Sequence, residues 1–389
     1  MKITLKRTEE QVELVKAMAS RNREVAYEAQ QALAEFIGPV LAEVVNQAPT
    51  LSNLFTNFQF NEMDSPSIPL DLYYDITAPD YVKVYSTTVP GGLPTNTVTP
   101  TSQEMKFSTY RLDTAVDFDK RYAAKSRMDV VGKTFTRIAQ EIMIRQEATS
   151  ANLIMGALKE ARTNGKSHLI EKAAGETLNL ADFNQLLTLA KRINTAWTGS
   201  APEGGRIKGI TDLIMSPEQV EGLRALAYQP VHTGSKNDIA ATDSMREAIY
   251  NNAGIPEFYG VSIMEINELG ENSDAATAGD GNQKFTKVFD TLQSDKDVRD
   301  VIVGLDRSRE SLFRAVAVDS ETSAELNLVA DDQYSVRQSK IGYYGSMEEG
   351  RMILDDRVLT GFEFTKTTAA AAEGDATEST EEAESTEEA

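Results

Sequence analysis

The side chains able to do chemistry are few and scattered. His168 and His232 are the only imidazoles, both in polar surroundings, and neither has a second histidine or a carboxylate pair at metal-ligand spacing. Both are expected to be ordinary surface residues. Asn164-Gly165-Lys166-Ser167-His168 has the look of the end of a phosphate loop. Such a loop needs a glycine where Glu160 stands and a strand ahead of it, and the residues ahead have the pattern of a helix. Asp274 and Asp280 sit among glycines in residues 270–282 without the alternate spacing of a calcium loop, so this stretch reads as linker. Glu348-Glu349 and Asp355-Asp356 are acidic pairs of the kind used in acid/base catalysis. In a chain with 60 Asp and Glu they are expected on solvated faces. No GxSxG elbow, HExxH or GxGxxG is present. Cysteine is absent, which excludes disulfides and thiolate metal sites and fits synthesis in a reducing cytoplasm. No catalytic, cofactor-binding or metal-binding residue is therefore assigned, and the chain does not read as an enzyme.

The elements that would have to position such groups point elsewhere. At 389 residues, with 41% hydrophobic and 25% charged residues, the chain suffices for two or three packing units of a soluble protein. No apolar run reaches the length of a membrane span, and Met1–Met18 lacks the apolar core of a secretory signal. The net charge of −21 argues against general affinity for nucleic-acid phosphates. Seven Glu and one Asp of that charge lie in residues 367–389, which hold no base and no apolar residue larger than alanine. Such a composition cannot bury a core, so a disordered or partner-ordered acidic tail is expected.

Residues 128–163 carry the strongest pattern. Val131, Phe135, Ile138 and Ile142 recur at helical steps, and Ile144, Ala148, Ala151, Met155 and Leu158 continue the stripe after a small rotation. The spacing predicts one helix, roughly 50 Å long at 1.5 Å per residue. It ends at Asn164-Gly165, and Gln140, Glu141, Arg145, Gln146 and Glu147 form its polar middle.

Before this beam, residues 8–47 read as two helical pieces, the second carrying Val25, Ala29, Leu33, Phe36, Ile37, Val40, Leu41 and Val44 and a kink at Pro39. The first twenty residues fit either a mobile arm or a helix docked on its own domain. From Leu54 to Phe118 the period becomes two. Leu70, Leu72, Tyr74 and Ile76 mark one strand, and Tyr110, Leu112, Thr114, Val116 and Phe118 another. The long Pro-, Gly- and Thr-rich stretch between them suits a two-stranded excursion turning near Pro90-Gly91-Gly92, only marginally stable alone. After the beam, residues 181–196 read as a helix. Residues 209–226 read as a buried strand, then a helix capped by Ser216 with Pro217 at its first position. Strands follow at 255–266, in the stretch from Asp297, and from Tyr334 to Phe364. Helices and strands mix without βαβ regularity, which makes the fold class α+β.

Five stretches resemble the tailed-phage major capsid proteins of the Hong Kong 97-type fold: 68–76 (IPLDLYYDI), 89–98 (VPGGLPTNTV), 107–133 (FSTYRLDTAVDFDKRYAAKSRMDVVGK), 213–223 (LIMSPEQVEGL) and 340–363 (KIGYYGSMEEGRMILDDRVLTGFE). Their order and spacing carry the resemblance, which covers most of residues 20–366. It implies an N-terminal arm at 1–53, an E-loop with its base strands at 54–118, and a peripheral domain with spine helix at 119–170. An axial domain at 171–320 and returning peripheral strands at 321–366 would follow, ahead of the acidic tail at 367–389. The implied role is self-assembly, as hexamers and pentamers, into an icosahedral head. That head encloses the phage genome without sequence-specific DNA contacts. A separate scaffolding protein, a portal and decoration proteins are the implied partners. The chain would be made in the host cytoplasm and end in the virion, away from any membrane. An encapsulin-type compartment shell of the same fold is the alternative, and a soluble enzyme with an unrecognised site the second.

Overall fold

The computed structural model describes residues 8–48, 50–69, 104–163, 168–172, 180–198, 209–225, 257–258, 260–266, 269, 298–309, 311–320, 324–331 and 338–365. The strand expected at 70–76, the turn at 90–92, Asn164-Gly165, residues 234–252 and 270–282, and the acidic tail lie outside them. The fold is α+β, in two compact units. One gathers Met1–Tyr74, Val82–Leu153 and Leu312–Leu354; the other Asp75–Tyr81, Ile154–Ser311 and Asp355–Ala389.

In the first unit, helices α1 (Glu9–Ala17) and α2 (Arg23–Gln47) come first. Asn22 caps α2, its side-chain oxygen accepting from the Glu24 amide at 3.2 Å. The helix runs on through Pro39. Helix α1 is docked: Val15 and Met18 are buried, and it packs on α2 and on α3 (Lys120–Ala124). Helix α4 spans Met128–Thr163, the range its periodicity predicts. Val131, Phe135, Ile138 and Ile142 are all buried, and so are Ala151, Met155 and Leu158. Ile144 and Ala148 are only half-buried, because Gln146 and Ser150 occupy the inward positions between the two apolar runs.

These helices cover a five-stranded sheet built on the long strand β12 (Lys340–Ile353). Strand β4 (Thr109–Asp119) runs antiparallel along one edge of β12, with Lys340 opposite Asp119 and Gly350 opposite Thr109. The other edge is shared by β11 (Asn327–Asp331) and β10 (Leu312–Val318), and β1 (Thr56–Asn61) pairs parallel to β10. Period-two alternation sorts the side chains between two cores. Phe118, Val316, Ile341, Tyr343 and Met347 join the helices, with Phe135 edge-on to Tyr343 at 5.2 Å between ring centroids. Phe313, Ala315 and Ala317 pack on the opposite side with Phe60, Ile68 and Phe107.

Residues Ser67–Pro69 form β2 and Glu104–Lys106 form β3. They pair antiparallel, Ser67 opposite Lys106 and Pro69 opposite Glu104. The ends of the expected excursion are thus held side by side.

The second unit holds a six-stranded mixed sheet in the order β5 (Leu169–Lys172), β13 (Leu359–Thr365), β9 (Val298–Leu305), β6 (Asp212–Met215), β8 (Val261–Glu265), β7 (Glu257–Phe258). Helices α5 (Leu180–Thr198) and α6 (Pro217–Ala225) bury Phe183, Leu186, Val220 and Leu223 with Phe362 and Phe364 of the sheet. Ser216 does cap α6, accepting from the Gln219 amide at 3.3 Å. At Gly361 the strands approach so closely that a Cβ would lie 2.6 Å from the Ile302 carbonyl oxygen.

Candidate functional site

Among the described residues of the first unit, Glu349, Arg351 and Arg314 bring three charges together inside the protein. Glu349 and Arg351 are two residues apart on β12 and so face the same side of the sheet. Strand register sets Arg314 of β10 opposite Arg351, and Tyr110 of β4 opposite Glu349. Two like charges opposite one another are unfavourable. Glu349 resolves the conflict by lying between them. Its Oε1 accepts from Arg351 Nη1 at 2.7 Å and from the Tyr110 hydroxyl at 2.6 Å. Its Oε2 accepts from Arg314 Nε at 3.1 Å, Gln146 Nε2 at 3.1 Å and Arg351 Nη2 at 3.2 Å. Five donors converge on one carboxylate that is 0% exposed.

The cluster reaches outward through neutral groups. Arg314 Nη1 donates to Asn46 Oδ1 at 2.9 Å, and Asn46 Nδ2 donates to Glu325 at 2.7 Å. Arg351 Nη2 donates to Ser52 Oγ at 3.1 Å, and Ser52 meets Ser150 of α4 at 3.2 Å. Glu147 accepts from the Leu51 amide at 2.8 Å. The end of α2, the turn at Leu51–Leu54, the middle of α4 and three strands are therefore bound to one point.

Chemically, this carboxylate is unsuited to proton transfer. Burial by itself would raise its pKa, but the Arg351 and Arg314 guanidiniums outweigh that and hold it below the usual carboxylate range. Tyr110 is pushed up to about 12, first by burial and then by the adjacent Glu349 charge. A fully engaged, ionised carboxylate shut off from solvent and the half-buried, protonated phenol beside it hold structure together.

The sequence expectations fare differently from one another. Glu349 is fully buried and Glu348 half-buried, so that pair does not lie on a solvated face. The strand's alternation turns Glu349 inward, where two arginines hold it. Asp355 is also half-buried; it caps the short helix Asp356–Val358 and pairs with Arg357 at 2.6 Å. His168 is 5% exposed rather than on the surface, since it leads into β5 and its carbonyl accepts from the Gly361 amide at 3.0 Å. His232, Asp274 and Asp280 lie outside the described residues, as do residues 164–167. Among the described residues no group of three metal-ligating side chains occurs, and no helix is long and apolar enough to cross a membrane. Sequence reading missed Arg314, although a lone charge inside Leu312-Phe313-Arg314-Ala315-Val316 is the available signal. The matching signal on α4 is Gln146 and Ser150 at helical spacing between two apolar runs.

The outer surface of the first unit carries apolar residues the sequence pattern assigns to a core. Val25, Phe36 and Val40 of α2 are 43%, 58% and 40% exposed. Eleven residues separate Val25 from Phe36, close to three helical turns, and Val40 lies one turn further, so all three share a face. Leu33, Ile37 and Leu41 take the inward side, and the helix packs on β11. Phe58, 36% exposed, stacks on Phe107 beside the β2–β3 base with ring centroids 6.1 Å apart.

No family model and no curated protein matches the chain. Among solved structures it is similar to one from Microbacterium phage Oxtober96, with a TM-score of 0.46 and 12% identity over 82% of this chain and 90% of that one. It is similar to the capsid of an empty GTA particle, with a TM-score of 0.47 and 11% identity over 83% and 91% of the two chains. It is also similar to the holo-SrpI encapsulin complex from Synechococcus elongatus, with a TM-score of 0.36 and 12% identity over 68% and 76%. With TM-scores below 0.5, these likenesses carry no argument about what the chain does.

Proposed function

We propose that this chain is a shell-forming protein, the major capsid protein of a tailed phage, whose copies assemble as hexamers and pentamers into a closed head around the genome. The observation that carries the reading is the β2–β3 pair: the chain leaves at Pro69 and returns at Glu104 on antiparallel strands. In this reading residues 70–103 are an E-loop that lies across a neighbouring subunit. The five stretches that resemble the Hong Kong 97-type family, taken in order along the chain, support it. So do the helix Met128–Thr163 as spine and the apolar residues that α2 leaves on the surface.

The mechanism is geometric. Each subunit offers modest apolar patches, such as Val25, Phe36 and Val40, worth little in a single contact. In a closed lattice every subunit makes several such contacts at once, and the effective concentration of neighbours makes their sum large. The charge cluster at Glu349 keeps the arm helix, the spine and the sheet at fixed mutual angles, so that edges match from copy to copy. Scaffolding, portal and decoration proteins, as partners of the virion, belong to the same reading.

Deleting residues 86–97 and closing the gap with a short turn tests it. The expected product is a folded subunit by circular dichroism that sediments as small species under assembly conditions. A variant that still forms normal, heat-resistant shells removes the E-loop assignment. Particles of the parent protein that hold cargo protein and no nucleic acid would replace the phage reading with a compartment shell.

A further inference from the structure

Within the first unit, opposite charges stand over opposite edges of one sheet. Strand β11 runs along one edge of β12 and β4 along the other. Helix α2 packs on β11, where a Cβ added at Gly38 would lie 3.8 Å from that of Leu328. Helix α3 continues directly from the end of β4. Residues 23–47 hold Glu24, Glu28, Glu35 and Glu43 against one base, Arg23. Residues 120–137 hold Lys120, Arg121, Lys125, Arg127, Lys133 and Arg137 against one acid, Asp129.

On α2, Glu24, Glu28 and Glu35 are exposed and follow one another at about one and two helical turns, which makes them a row. Glu24 and Glu35 directly precede Val25 and Phe36, so the acidic row flanks the exposed apolar one. At the other edge a tight turn joins α3 to α4: Ser126 takes φ 52, and the Arg127 amide donates to the Tyr122 carbonyl at 3.0 Å. This closure holds the basic residues of α3 beside the first turns of α4. Lys125, Lys133 and Arg137 are exposed, the last two one helical turn apart. Tyr122, 46% exposed, adds an aromatic ring to that surface.

We propose that the outer face of α2 in one copy docks, head to tail, on the α3–α4 surface of a second copy. With β12 between them, the two surfaces belong to opposite edges of one folded unit, so each finds its complement on another molecule. The glutamate row meets Lys125, Lys133 and Arg137, while Val25, Phe36 and Val40 meet Tyr122. Charge complementarity selects this pairing: α2 against α2, or the basic surface against itself, would set like charges together. A head-to-tail pair leaves one surface of each kind open, so the contact repeats and closes into a ring where the rotation between copies allows it. The inference rests on the shell reading for the association of copies and adds which surfaces meet.

Two charge-reversal variants of the full-length chain, followed by sedimentation, test it. One carries Glu28→Lys with Glu35→Lys, the other Lys133→Glu with Arg137→Glu. All four side chains are exposed, and circular dichroism checks that each variant folds. Each variant alone is expected to need at least about a tenfold higher protein concentration than the parent to associate, because attracting contacts become like-charge ones. An equal mixture of the two should restore association, since each then presents the surface the other requires. A chain carrying all four reversals should associate like the parent. Variants that associate separately as readily as the parent overturn the contact, and so does a mixture no better than its components. Closed shells formed by each variant alone overturn the contact and leave the shell reading standing. Rescue confined to small open oligomers, with no closed particle from the parent, keeps the contact and removes the shell reading.

Discussion

Arg314 and Arg351 face one another across β10 and β12, and the Glu349 carboxylate that separates them accepts from both. The arrangement costs desolvation of three charges, which mutual attraction repays only while all three are present. Glu349→Gln keeps the shape and removes the charge, leaving two guanidiniums buried around a neutral amide. Loss of about 3–5 kcal/mol is expected in urea unfolding, the usual cost of breaking a buried pair from one side. Tyr110→Phe removes a single donor and should cost about 1–2 kcal/mol. Equal, small effects for both would mean that the cluster does not hold the first unit together. The pH dependence has a defined sign. Since the folded carboxyl lies below its ordinary value of 4.5, its contribution is full above that pH and is lost as the pH falls below it.

Asp300 behaves in the opposite sense. It is 2% exposed in the second unit; burial pushes its pKa up to about 6, although it accepts from Ser216 Oγ at 2.5 Å and from the Val301 amide at 2.8 Å. A folded state that holds its proton more tightly than the unfolded chain loses stability as pH rises from about 3.8 to 6. Asp300→Asn should therefore stabilise the second unit at pH 7, by on the order of 3 kcal/mol if the whole shift is expressed. The gain should vanish near pH 4. Melting at the two pH values decides it, and an Asn variant less stable than the parent at pH 7 would contradict the assignment.

Gly361 offers a steric test in the same unit. A methyl group there meets the Ile302 backbone oxygen, which no rotamer change can move aside. Gly361→Ala is expected to cost about 1–3 kcal/mol, as overpacking does. Gly156 and Gly222 have nothing within 4 Å of an added Cβ, so alanine at either is expected to be tolerated. Thermal unfolding of the three variants provides the comparison.

Phe36 and Val40 would separate folding from the association proposed above. Both are exposed, so Phe36→Ser with Val40→Ser should leave the isolated subunit within about 0.5 kcal/mol of the parent per site. Under assembly conditions the same variant should need a higher protein concentration to form particles, read by sedimentation. Strong destabilisation of the subunit itself would place this face in a core after all.

The elements legible in the sequence are those whose signal is local. The helix Met128–Thr163 follows from apolar residues that recur every three or four positions, β4 from alternation between Tyr110 and Phe118, and the start of α6 from Ser216-Pro217. Each pattern is complete within a few turns of chain, so composition and spacing suffice to determine it. Which neighbour covers an apolar face is not local information. Helix α2 has apolar residues on both Leu33–Ile37–Leu41 and Val25–Phe36–Val40, and only its packing on β11 decides that the first set is buried and the second exposed. Glu349 likewise stands in an acidic pair of ordinary appearance. Its burial follows from a strand register that brings Tyr110 from one side and Arg314 from the other, residues far from it in sequence. The chain by itself determined the helix Met128–Thr163, the alternation of β4, the start of α6 and the acidic composition of residues 367–389. Tertiary structure alone decided where three charges could be buried together, because a buried charge is stable only beside partners that folding delivers from elsewhere.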